Sequence, residues 1–98
     1  MEFDAFVDEV NVQVGNRLSS VIEEVQFSRS DDSASWSRGP CAATVTAPGP
    51  EVVRLALMAH GVLKHGSPDN PESVAMPGAS SAFDFGAAIA ELLENDFG

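Results

Sequence analysis

Pro48-Gly49-Pro50-Glu51 is the strongest punctuation in the chain, and any fold has to be arranged around that break. Proline fixes φ and removes a backbone donor, so two prolines flanking a glycine end the regular element before them. Ahead of the break, Cys41, Ala43, Val45 and Ala47 alternate with Ala42, Thr44 and Thr46. That two-residue period predicts a strand over 41–47. Its small side chains allow a helix to pack close. Behind the break, Pro50 suits the first position of a helix and Glu51 its positive end, so a helix is expected over Glu51–His65. Val52, Val53, Leu55, Leu57, Met58, Val62 and Leu63 make that segment apolar on nearly every side, interrupted by Arg54, His60, Lys64 and His65. Such a helix belongs in the middle of a fold or at a subunit interface, which makes Leu57 and Met58 candidate contact residues. Lys64 and His65 suit its negative end, Gly66 a left-handed cap and Pro68 the stop.

Helices are also expected at both ends. Phe3, Phe6, Val7, Val10, Val14 and Leu18 recur at steps of three and four, with Asp4, Asp8 and Glu9 mostly outside the stripe. A helix over 3–14 follows; beyond it, the alternation Val10–Val14 and the pair Gly15-Asn16 leave its extension open. Leu18, Val21, Ile22 and Val25 prolong the helical stripe, whereas Val21, Val25 and Phe27 share one face of a strand. A strand over 20–28 is preferred, because the one at 41–47 needs an antiparallel partner. Residues 28–37 hold five serines around Asp31-Asp32 and are expected to turn. Residues 66–80, with three prolines and two glycines, read as an ordered loop anchored by Val74 and Met76. Ser81 with Asp84 resembles a capping box opening a helix that carries Phe85, Ile89, Leu92, Leu93 and Phe97. The expected fold is α+β in a single domain spanning 1–98: an N-terminal helix, a two-stranded antiparallel hairpin, a central apolar helix, a long loop and a C-terminal amphipathic helix.

Charge narrows the function. Fifteen Asp and Glu against five Lys and Arg leave a net charge of −10 on 98 residues. Phosphate contacts need clustered bases, so direct nucleic-acid binding and an anionic membrane surface are both disfavoured. Solubility, a salt-rich or GC-rich host, and mimicry of nucleic acid each account for the acidity. Residues 1–47 carry eight acids and three bases and residues 48–98 seven and two, an even spread without a block of like charge. Glu2, Asp4, Asp8 and Glu9 at one end and Asp84, Glu91, Glu94 and Asp96 at the other have no base among them. If the terminal helices pack side by side, those acidic faces merge. Cys41 is the single cysteine, so no intrachain disulfide forms and it reads as a small buried hydrophobe. Met-Glu-Phe-Asp is the reverse of a secretion signal, and no apolar run reaches membrane-spanning length. The expected location is the cytoplasm or a particle assembled inside the cell.

Chemistry-bearing patterns are sparse. His60 and His65, five apart on the expected helix, stand about 140° around its axis and cannot grip one metal together. Asp8-Glu9, Glu23-Glu24 and Asp31-Asp32 are adjacent pairs whose members point apart, and they read as solvated surface. Asp69-Asn70-Pro71-Glu72 lacks the spacing and central glycine of a calcium loop. No phosphate-binding glycine loop or nucleophile elbow occurs. The expectation is therefore no catalytic residue, no cofactor and no metal. Trp36 and Arg38, beside Asp31 and Asp32 on the serine-rich arm, are contact candidates because tryptophan and arginine dominate binding hot spots. The competing role for Trp36 is to close the hairpin onto the core, with Arg38 stacked on it or answering Asp31 or Asp32. The function expected is non-enzymatic: an assembly subunit or adaptor, as in a virus particle or another complex, with a protein partner or self-association. A small acidic inhibitor that mimics nucleic acid is the alternative, and an enzyme of unknown type the third.

Overall fold

The computed structural model describes residues 1–65 and 74–95. Along the chain run α1 (Phe3–Arg17), a 3-10 turn (Ile22–Glu24), β1 (Gln26–Arg29), β2 (Ser33–Arg38), β3 (Cys41–Gly49), β4 (Val52–Ala59), β5 (Val62–His65), β6 (Val74–Ala75) and α2 (Ala79–Asn95). The strands form one antiparallel sheet in the order β1-β2-β3-β4-β5, with β6 also paired to β4. β3 occupies one edge of β4, so β5 and β6 share the other, opposite Leu57–Ala59 and Val53-Arg54 respectively.

This corrects the expected architecture. There is no central helix over Glu51–His65: that segment is a β-hairpin, and the expected two-stranded hairpin is part of a five-strand meander. In β4 the residues Val53, Leu55, Leu57 and Ala59 are buried while Val52, Arg54 and Ala56 are partly covered and Met58 is exposed. A strand in a sheet covered on one side wants that period of two. Pro50-Glu51 is not a helix start but the two-residue link between the paired Gly49 and Val52. His60 (φ 53°) and Gly61 (φ 78°) turn β4 into β5, the double positive φ of a type I′ hairpin. An alanine Cβ at Gly61 meets no atom within 4 Å. Gly61→Ala therefore isolates backbone strain, and urea unfolding should show a loss of about 1 kcal/mol.

The serine-rich stretch divides likewise. Only residues 30–32 turn; Ser33, Ser35 and Ser37 lie on β2 with Ala34 and Trp36 buried between them. The strand expected over 20–28 contracts to β1, preceded by the 3-10 turn. The alternating strand at 41–47 is present and runs on to Gly49.

Both helices cover one face of the sheet. α1 buries Phe6, Val7, Val10 and Val14, followed by Leu18, which is the stripe its spacing predicts. It continues past residue 14 to Arg17, and the Leu18 N–H closes on the Val14 carbonyl. α2 lies against β2, β3, β4 and α1, with Phe6 and Phe85 edge to face at 5.5 Å between ring centroids. α2 starts before Ser81, whose hydroxyl accepts from the Gly78 N–H at 3.0 Å and donates to the Met76 carbonyl. Met76 itself is exposed and anchors nothing by its side chain. The expected cap and stop at Gly66 and Pro68, the segment Asp69–Glu72 and Phe97 fall outside the described residues. Among the described residues no helix is long and apolar enough to cross a membrane.

Candidate protein-interaction surface

Strand alternation assigns each side chain of the sheet to the helix-covered face or to the open one. The cross-strand rows Phe27–Trp36–Ala43–Leu57 and Arg29–Ala34–Val45–Leu55 face the helices. The rows Ser28–Ser35–Thr44–Ala56 and Ser33–Thr46–Arg54 face away, as does Gln26–Ser37–Ala42–Met58–Leu63. Hydroxyls and methyls dominate this open face, and Ser28 Oγ and Ser35 Oγ hydrogen-bond across strands at 2.8 Å. Its apolar end is the pair Met58 (43% exposed) and Leu63 (49% exposed).

Charge is sorted by layer. No described strand contains an Asp or Glu; the described acids lie on α1, α2, the 3-10 turn and the loops. Four of the five bases, Arg29, Arg38, Arg54 and Lys64, are strand residues. Two of these turn toward the helices. Arg29 donates to Asp8 Oδ1 at 2.8 Å and Asp4 Oδ1 at 3.2 Å, binding the outer side of α1 to β1. The hydrogen bond to Asp8 leads in raising the Arg29 pKa further, against the opposing effect of desolvation, so this group stays charged at every working pH. Arg38 donates to the Leu93 carbonyl at 2.9 Å and to Glu24 Oε1 at 3.3 Å. A cation on a carbonyl of the last turn of α2 also suits the helix dipole. Arg54 faces the open side, where its Nε is buried without a hydrogen-bond partner.

The sequence-derived candidates are dispersed rather than gathered. Trp36 is fully buried, its indole N–H donating to Asn11 Oδ1 at 2.9 Å and its ring tilted against Phe27 at 5.1 Å, so it has no surface to offer a partner. Arg38 is only 10% exposed and its guanidinium answers Glu24, not Asp31 or Asp32. Leu57 is buried under the helices while its neighbour Met58 points to the open face. Asp31 and Asp32 are exposed in the β1–β2 turn, at the opposite end of the sheet from Met58. They line a cleft of about 300 Å3 together with Glu2, Phe3, Val52 and Val53. A second, more open hollow of about 520 Å3 lies between Arg17 and the α2 residues Ala87, Ala90, Glu91, Glu94 and Asn95. His60 lines neither, and among the described residues no three His, Cys, Asp or Glu groups converge.

Thr44, Thr46, Arg54, Ala56 and Leu63, which complete the open face around Met58, were not legible as a surface. The signal was the parity of 52–59, where Arg54, Ala56 and Met58 take the positions between the larger apolar residues. Comparison of this chain with protein-family models, with curated proteins and with solved structures gives no match.

Proposed function

We propose that this is a non-enzymatic protein–protein interaction protein, an assembly subunit or adaptor, that works through the open face of its sheet. One observation carries the reading: an acidic protein keeps one broad sheet face without a carboxylate among the described residues, ending in exposed Met58 and Leu63. Interface cores are depleted in charge and enriched in methionine, and flat sheet faces pack well against other flat surfaces. A lone cysteine, Cys41, buried in β3, is in keeping with action in the cytoplasm or in a particle assembled there.

The test compares baits in affinity capture from the native source. Wild-type protein and a Val12→Glu variant, altered on the exposed side of α1, should retain the same partner set, and Ala56→Glu at the centre of the open face should lose it. Retention by Ala56→Glu refutes the reading.

A second reading has an observation of its own. α1 and α2 pack side by side, so acids from both ends of the chain share one layer that a basic nucleic-acid-binding protein would recognise. It ranks behind because Asp4 and Asp8 are already engaged by Arg29. Its signature is opposite: capture that survives Ala56→Glu, falls steeply as salt rises and is lost on neutralising Glu91 and Glu94.

A further inference from the structure

We infer that the open face takes a second copy of this chain, the two sheets stacked face to face about a two-fold axis that crosses the strands at the Thr44–Ala56 row. This rests on the interaction reading above and names its partner.

Charge is the first argument. Two molecules of net charge −10 repel through any surface that presents carboxylates, and the described acids sit on the helices and loops. Stacked sheets lie about 10 Å apart, and each helix layer lies behind its own sheet. Acids of the two helix layers are then separated by more than the screening length of about 8 Å at physiological salt. The open face is the approach on which like-charged copies meet least opposition. It equally lacks what would draw an oppositely charged partner, since Arg54 is its one charged side chain among the described residues outside β5.

Shape is the second. Thr44 and Ala56 are paired at the middle of the face, where small side chains let two twisted sheets come closest. Met58 and Arg54 stand two residues to either side of Ala56 on the same strand. A two-fold axis at that row lays each Met58 against the aliphatic stem of the copy's Arg54, the reciprocal pairing an isologous contact requires. The two guanidiniums end up about 13 Å apart at about 3.3 Å per residue, beyond the screening length.

Area sets the strength. Five strands about 4.8 Å apart and averaging about six residues cover roughly 500 Å2 per copy, or about 1,000 Å2 in total. That is the low end for a specific interface, so the dimer is weak and concentration-dependent, with a dissociation constant in the micromolar range.

Sedimentation equilibrium on the full chain, over protein concentrations up to about 1 mM, measures this directly. Wild type and Val12→Glu should dimerise alike, and raising salt from about 0.05 to about 0.5 M should tighten the dimer several-fold by screening residual repulsion. Ala56→Glu and Thr44→Glu, each setting carboxylates against their own symmetry mates, should be monomeric throughout while keeping the wild-type circular dichroism spectrum. Met58→Glu, placed opposite the copy's Arg54, should dimerise at least as well as wild type. A wild-type monomer at about 1 mM, a dimer that survives both substitutions, or one that dissolves as salt rises overturns the inference. If wild type is monomeric yet Ala56→Glu still loses a captured partner, the copy is refuted and the interaction reading stands; if capture also ignores Ala56→Glu, both fall.

Discussion

Trp36→Ala should lower the free energy of unfolding by about 3–5 kcal/mol, the range for truncating a buried aromatic. Against the 5–15 kcal/mol typical of whole domains, that puts the variant near the edge of folding. The ring is fully buried and joins three elements: Phe27 of β1 beside it, Ala43 of β3 opposite it, and Asn11 of α1 on its indole N–H. Ala43 is too small to move into the vacated space, so the cavity persists. Trp36→Phe separates the two contributions. It keeps most of the ring and drops the hydrogen bond, and because Asn11 is exposed its amide turns to water, so the bond itself accounts for only about 1 kcal/mol. Trp36 is the one tryptophan, so the series must be followed by circular dichroism in urea, with wild-type fluorescence as an independent check. A loss below about 1 kcal/mol for Trp36→Ala would contradict full burial of the ring.

Gly86→Ala carries the second large effect, and with a sign opposite to helix propensity. Inside α2, replacing glycine by alanine ordinarily gains about 0.8–1 kcal/mol. At Gly86, however, an added Cβ runs into Gln13 Cβ of α1 and lies 3.5 Å from the Val10 carbonyl oxygen. Gln13 Cβ is fixed by its own backbone and cannot swing aside, so α1 and α2 must separate where Phe6 and Phe85 hold them together. Overpacking of that kind costs about 1–3 kcal/mol, and the net result is a lower urea midpoint. Gly86→Val should be worse than Gly86→Ala. A stabilised Gly86→Ala would mean the helices are not in contact at this point.

The stripe Phe6, Val7, Val10, Val14, Leu18 announced α1, and Phe85, Ile89, Leu92 and Leu93 announced α2, because amphipathic helices carry their period within one segment. β3 was equally open to reading, its alternation running from Cys41 to Ala47. β4 was not. Its apolar residues occupy both parities, Val53, Leu55 and Leu57 on one and Val52, Ala56 and Met58 on the other, which satisfies a helical and an extended template alike. β2 was hidden differently, since its open-face positions are serines that mimic a turn while Ala34 and Trp36 do the packing. The contact candidates suffered for the same reason: a one-residue step decides whether Leu57 or Met58 meets solvent, and only strand pairing fixes that step.

What the chain determined by itself is therefore local: two amphipathic helices, one alternating strand, a single buried cysteine and a net charge of −10. The tertiary structure decided the rest. Whether 52–65 would coil or extend depended on β3 being available to pair with it, a contact that no periodicity inside the segment encodes. The sorting of acids onto helices and loops, away from every described strand, likewise exists only once the sheet is assembled. Total charge is a sum over residues, but where it is absent is a property of a surface, and a surface is made by residues far apart along the chain.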